Sequence, residues 1–111
     1  MEIQDRQVNG ISVVQFFGSI DALTAPAVTE HLSGLITAGQ TRLVVDLSGV
    51  DFTSSAGLRL LLVAVKETRS LGGDLRLAAV QPDVLKVLKI SGFTNILKLF
   101  DDVNSAVASY G

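Results

Sequence analysis

One stretch, Thr41 to Leu71, limits what this chain can become more than any other. It opens on Leu43, Val44 and Val45, an unbroken apolar run with β-branched residues, which fits a strand covered on both faces. Asp46, Ser48, Gly49 and Asp51 break that pattern and mark a loop. Three hydroxyls follow, Thr53, Ser54 and Ser55. The spacing then predicts a helix from near Ala56 to near Leu71, with Gly72 and Gly73 as stop signals. Leu58, Leu61, Leu62 and Val65 fall on one face of it, and Arg59, Lys66, Glu67 and Ser70 on the other. Val63 points toward the polar side, an exposed apolar contact. The rest of the chain reads as scaffold that holds the hydroxyl turn at the surface.

The scaffold is legible in order. Met1 to Val8 alternates weakly, as an edge strand does, and Asn9-Gly10 is a strong two-residue hairpin signal. Ile11 to Ile20 reads as a strand, with Gly18-Ser19 marking a bulge or a close backbone approach. Asp21 to Thr24 leads into a helix with Pro26 in its first turn. Val28, Leu32 and Leu35 give that helix an apolar face, and Ala38-Gly39 closes it. Beyond the central stretch, Asp74 to Val80 is a strand. A short helix follows from Pro82, with Val84, Leu85 and Leu88 inward, Lys86 and Lys89 outward, and Gly92 as its stop. Ile96 to Phe100 is a last short strand, and Asp101 to Tyr110 a helix opening on two carboxylates suited to its dipole. An opening hairpin followed by alternating strands and helices implies right-handed crossovers. The expected fold is α/β, a mixed, mostly parallel sheet of about five strands with four helices. At 111 residues the chain is long enough for one domain, 1–111, with a real core.

Composition removes several function classes. Nine basic residues against eleven acidic ones give a net charge of −2, with no run of like charge, so nothing points to nucleic acid. Cysteine is absent, which excludes disulfides, thiolate metal sites and cysteine nucleophiles. His31 is the only histidine; three positions after Val28, it reads as a flanking or surface side chain. A Ser-His-Asp triad would have to use it, and no G-x-S-x-G elbow surrounds Ser54 or Ser55. There is no phosphate-cradling G-x-x-x-x-G-K-[ST]. Asp21, Asp46 and Asp51 at strand ends read first as turn-forming and capping residues, with an Asp-rich ligand site at the carboxyl ends of parallel strands as the alternative. No catalytic residue, metal or cofactor is expected. The opening MEIQDRQV has no apolar signal core, and the longest apolar run, Leu60 to Val65, falls far short of the ~20 residues that span a bilayer. A cytoplasmic protein without a membrane partner is the expectation.

The hydroxyl turn itself supports two readings. In one, Ser54 or Ser55 is an N-cap whose oxygen accepts an orphan backbone N–H, and nothing more. In the other, the positive end of the helix dipole and its free N–H groups make a hydroxyl there physically suited to carry a phosphate.

The stretch VVDLSGVDFTSSAGLRLLL closely resembles the phosphorylation-site region of STAS-domain anti-sigma factor antagonists. FFGSIDALTAP resembles that family's second strand and the entry to its first helix. The resemblance runs in order through nearly the whole chain, and its most specific part is the Asp-Leu-Ser-Gly-Val turn followed by Ser-Ala-Gly-Leu. In the family a serine lies two residues before the glycine that precedes a leucine; here these are Ser55 and Gly57. Members of the sporulation and stress-response type often carry Asp just before that serine. This chain has Ser54 there, which leaves Ser54 as the alternative to Ser55. The resemblance implies a STAS-like fold and partner switching in a bacterium. Unmodified, such a protein binds an anti-sigma factor that is also a serine kinase. The kinase phosphorylates Ser55 with its own ATP, the complex breaks, and a serine phosphatase resets it. The implied contact residues are Asp21, Thr24, Thr53, Ser54, Ser55, Ala56, Gly57, Arg59 and Val63. The family resemblance implies no enzymatic activity in the chain itself, and a monomer is expected. The family also contains non-switching interaction modules of larger, transport-associated complexes, and that alternative stays open. A small hydrolase acting through Ser55 is a further one, against which the lone histidine counts.

Overall fold

Strand order is chain order. In the computed structural model, which describes residues 1–111, β1 (Glu2–Val8), β2 (Ile11–Phe17), β3 (Arg42–Gly49), β4 (Asp74–Ala78) and β5 (Lys98–Phe100) lie side by side. β1 pairs antiparallel with β2, and every later pair is parallel. The one antiparallel link is the Asn9-Gly10 hairpin, where both residues adopt positive φ, 52° and 79°, as a type I′ turn requires. Parallel neighbours need crossovers. They are supplied by α1 (Ala25–Thr37), α2 (Ser55–Ser70) and α3 (Pro82–Ile90); a single 3-10 turn, Phe93–Asn95, precedes β5, and α4 (Val103–Ala108) follows it. The expected mixed sheet with four helices is what the chain forms.

The apolar run in β3 has the cause its sequence suggests. Leu43, Val45 and Leu47 pack with Val14, Phe16, Leu75 and Leu77 into the larger core under α1, α2 and α3. Val44 points the other way, with Ile11, Val13 and Ala78, and is covered by Ala106 and Val107 of α4. Period-two alternation thus feeds two cores at once. Tyr110 ties the end of the chain down. Its hydroxyl lies 2.7 Å from both the Leu43 and the Asp74 carbonyl oxygens, and Arg76 stacks 3.9 Å from its ring centroid. Beside it the Asp74 carboxylate accepts from Arg69 at 2.9 Å and Arg76 at 3.1 Å. Burial alone would raise its pKa, but the hydrogen bonds from Arg76 and Arg69 outweigh burial and hold it below its usual range.

Element ends differ from the sequence expectation where local backbone bonds intervene. β2 ends at Phe17 rather than Ile20, because Gly18 turns at φ 107°. The chain nevertheless stays hydrogen-bonded beside the exit of β3. β4 ends at Ala78 rather than Val80, since Ala79 adopts φ 55°. β5 starts at Lys98 rather than Ile96, because the Ile96 and Leu97 N–H groups donate back to Phe93. α4 spans 103–108 rather than 101–110, with Asp102 as its cap. On α2 the core takes Leu60, and Leu62 is only half-buried, because this helix packs against α1 as well as the sheet. On α1, Ile36 is buried and Leu35 half-buried; on α3, Leu85 is half-buried.

Candidate functional site

The hydroxyl turn sits at the carboxyl end of the sheet, where β3 hands the chain to α2. Its position is set by backbone bonds to the segment that leaves β2. Gly18 N–H donates to Gly49 O at 2.9 Å, Ile20 N–H to Phe52 O at 2.9 Å, and Ser54 N–H to Ile20 O at 2.8 Å. Ile20 and Thr53 form a parallel bridge. Both are buried, at 1% and 5% exposure. The two loops that sequence reasoning singled out separately, Asp21–Thr24 and Thr53–Gly57, are therefore one structure.

Within it each hydroxyl has its own task. Thr53 is inside the fold. Its Oγ1 occupies the space a side chain on Gly57 would need; a Cβ there would come 2.1 Å from it and 2.9 Å from Ile20 Cγ2. Thr53 and Gly57 thus shape the turn from below and present no surface. Ser54 is the N-cap of α2: its backbone is extended (φ −87°, ψ 177°) and its Oγ accepts the Ala56 N–H at 3.2 Å. The capping reading is right for Ser54. Ser55 is the first residue of the helix, exposed, and its hydroxyl bonds to no other protein group. The first turn of α2 contains no acidic residue, so its dipole end has no anion of its own.

The neighbouring loop is closed by its own side chains. Asp21 Oδ1 accepts the Leu23 N–H at 2.9 Å and the Thr24 N–H at 3.1 Å. Thr24 Oγ1 accepts from Asp21 N–H at 3.0 Å and donates to Ser19 O at 2.8 Å. Asp46 accepts from Ser48 N–H and Asp51 from the Ser19 hydroxyl. Asp21 and Asp51 are loop residues, as expected, whereas Asp46 lies within β3, which pairs on past the point the sequence marks as loop; no group of three or more His, Cys, Asp or Glu side chains converges. His31 is spent between α1 and β1, its ring nitrogen 2.8 Å from Asp5. The chain's one imidazole is thus committed away from this turn and cannot serve Ser55 as an activating base.

Ala56, Arg59 and Val63 continue the surface along α2. They line one side of a groove of about 650 Å³ whose other side is α1, and Ala25, Leu32, Ile36 and Leu60 make its floor apolar. Val63 is 49% exposed, as its helical position predicts. Sequence reasoning missed Leu23, 90% exposed, and Phe52, 52% exposed, which bracket the turn. Hydropathy alone marks both as core; only their place in the two loops beside Asp21 and Asp51 signals otherwise. The exposed surface here thus sets the free Ser55 hydroxyl between apolar side chains and the two aspartate-bearing loops, and that combination suits protein contact.

The chain as a whole is similar to known proteins. A family model described as STAS domain matches residues 2–106. The chain is 30% identical over 110 residues to BtrV of Bordetella bronchiseptica, a protein assigned as an anti-sigma factor antagonist; the match covers 99% of this chain and 95% of the relative. It is 28% identical over 101 residues to the anti-sigma-F factor antagonist RsfB of Mycobacterium tuberculosis, covering 89% of this chain and 80% of RsfB. Among solved structures it resembles the Bacillus cell fate determinant SpoIIAA in fold. The TM-score is 0.84 to the unphosphorylated form, at 22% identity over 98% of this chain and 96% of that one. It is 0.76 to the phosphorylated form, at 21% identity over 99% and 100%.

Proposed function

The chain belongs to the STAS domain family, and from that premise we propose that it is an anti-sigma factor antagonist that works by partner switching, with Ser55 as the switched residue. The observation that carries the choice of residue is the division of labour between the two serines. Ser54 is half-buried and occupied as a cap, whereas Ser55 projects from the first helical position with a free hydroxyl. In the unmodified state the surface formed by Leu23, Phe52, Ser55, Arg59 and Val63 binds an anti-sigma factor that is also a serine kinase. The kinase transfers the terminal phosphoryl group of its own ATP to Ser55 Oγ, the hydroxyl proton leaves, and ADP remains on the kinase. A serine phosphatase returns the hydroxyl by hydrolysis. The cycle runs between monomers in a bacterial cytoplasm.

The physics assigns the effect to the interface rather than to the fold. A phosphate brings about −1.5 to −2 charge at pH 7. On Ser55 it meets the unoccupied positive end of α2, which stabilises it by a few tenths to ~1 kcal/mol. The domain therefore stays folded when modified. The apolar surround is what the phosphate spoils, since a partner that covers Leu23, Phe52 and Val63 would have to desolvate a dianion among them. About 3 kcal/mol lost there weakens binding more than a hundredfold.

The test compares wild type with Ser55→Asp for affinity to the cognate anti-sigma factor by calorimetry, with site-mapping mass spectrometry after incubation with that kinase and ATP. Phosphate on Ser55 and a loss of a hundredfold or more in affinity are expected. Equal affinity would overturn the switch and leave a constitutive interaction module. Phosphate on Ser54 would move the switch by one residue.

A further inference from the structure

Charge is not spread evenly over this molecule. Residues 52–100 carry seven basic and three acidic side chains, while the rest of the chain carries two basic and eight acidic ones. Much of this separation follows the sheet axis. Asp21, Asp46, Asp51, Asp101 and Asp102 lie at or just past the carboxyl ends of strands, the end that holds Ser55. Arg42 and Lys98 open β3 and β5, while Arg69 and Lys89 close α2 and α3, all at the opposite end.

At that opposite end the side chains form a shape. Arg69, Lys89 and Lys98 rim a shallow cavity of about 830 Å³ between α3 and β5, floored by Leu85, Leu99 and Phe100. Ile90 stands beside it, 78% exposed. No carboxylate lines the cavity, and the one paired with its rim is Asp74, 8% exposed and already shared among Arg69, Arg76 and, at 3.9 Å, Lys98. Three cations around one buried anion leave a net positive rim. Lys89 has no ion-pair partner at all. A cation in the last turn of a helix complements the dipole, which accounts for Arg69 and Lys89. It does not account for Lys98, for the exposed isoleucine or for the apolar floor.

We propose that this pole is a second docking surface, separate from the Ser55 turn, for an acidic protein segment that carries apolar side chains. Charge complementarity selects the partner's sign, because an anionic segment gains from the rim and is repelled by the carboxylates of the other pole, which fixes its orientation. The apolar floor and Ile90 select a peptide over a free anion, because they reward leucine-like anchors. The small number of rim cations and the acidic remainder of the chain disfavour a lipid bilayer, which is held by clusters of about four to eight Lys/Arg. The surface does not depend on Ser55, so it could hold a partner or a scaffold through both states of any switch at the opposite pole.

The probe is a short peptide of glutamates with leucines at helical spacing, titrated into the isotopically labelled full chain and followed by amide chemical shifts. Shift changes are expected at 85–100 and at Arg69, with the Ser55 turn silent. Replacing the peptide's glutamates by glutamine should weaken binding about tenfold, and so should the Lys89→Glu/Lys98→Gln double variant. Lys89→Glu alone, which has no ion pair to lose, keeps the test readable if the double variant unfolds, and should weaken binding severalfold. Ser55→Asp should leave the peptide affinity unchanged, which separates this surface from the proposed switch. The proposal is overturned by silence at 85–100, by equal affinity for the glutamine peptide, by unchanged affinity in Lys89→Glu, or by binding to phosphatidylglycerol vesicles in place of the peptide.

Discussion

The glycine under the hydroxyl turn offers a sharp test of how the site is held. Gly57 lies in the first turn of α2, where an alanine would ordinarily gain up to ~1 kcal/mol in helix propensity. Here the added Cβ would lie 2.1 Å from Thr53 Oγ1 and 2.9 Å from Ile20 Cγ2. Neither neighbour has room to give, since Ile20 and Thr53 are buried and bridged to each other. Overpacking of this kind costs ~1–3 kcal/mol. Set against the propensity gain, Gly57→Ala should be net destabilising by about 1–2 kcal/mol, a fall in melting temperature of about 4–8 °C for a chain of this size. Gly34 supplies the control. It is exposed within α1, a Cβ there meets nothing within 4 Å, and its φ is ordinary. Gly34→Ala should therefore raise stability by about 0.5–1 kcal/mol. The same substitution thus carries opposite signs at two helical positions. Calorimetric or denaturant melts of both variants decide it, and Thr53→Ala added to Gly57→Ala should recover part of the loss, a coupling of about 1 kcal/mol. If Gly57→Ala melted at or above the wild-type temperature, the close approach of α2 to Thr53 would be refuted.

Three further outcomes are expected. Ser54→Ala removes a cap and should cost about 1 kcal/mol, while Ser55→Ala, with no bond to lose, should stay within about 0.5 kcal/mol; equal costs in thermal melts would contradict the assignment of the cap. Asp74 has its folded pKa lowered from the ordinary 3.8, so its stabilisation is fully present above that value and lost as pH falls through it and below. Acid unfolding curves should show this loss in wild type and a flatter profile in Asp74→Asn. Tyr110→Phe keeps the stack with Arg76 but removes the hydroxyl bond to the Leu43 and Asp74 carbonyls, at about 1 kcal/mol in urea melts.

What the sequence discloses here is what local pattern controls. The β3 run and the Asn9-Gly10 hairpin are set by period and turn chemistry and are found where the residues place them, while packing against α1 shifts the α2 stripe onto Leu60. Strand ends were less legible because they depend on partners distant in sequence: Ile20 leaves β2 yet stays bonded to Phe52 and Ser54, more than thirty residues on. The same limit applies to the turn. The residues of the Ser54–Ser55 pair admit a cap or a free hydroxyl in either order, and only the path of the chain past Ile20 fixes Ser54 as the cap and turns Ser55 outward. Leu23 and Phe52 make the point from the other side, because hydropathy marks them as core while the junction of two loops leaves them in solvent. Charge behaves alike. A net of −2 gives no sign of a nucleic-acid partner, yet it conceals an acidic pole beside Ser55 and a basic one at the far end of the sheet. That separation exists only because parallel strands gather the end of β3 and three loops at one end and four helix and strand ends at the other. Net charge bounds the class of partner; the topology decides where on the molecule each kind of partner is met.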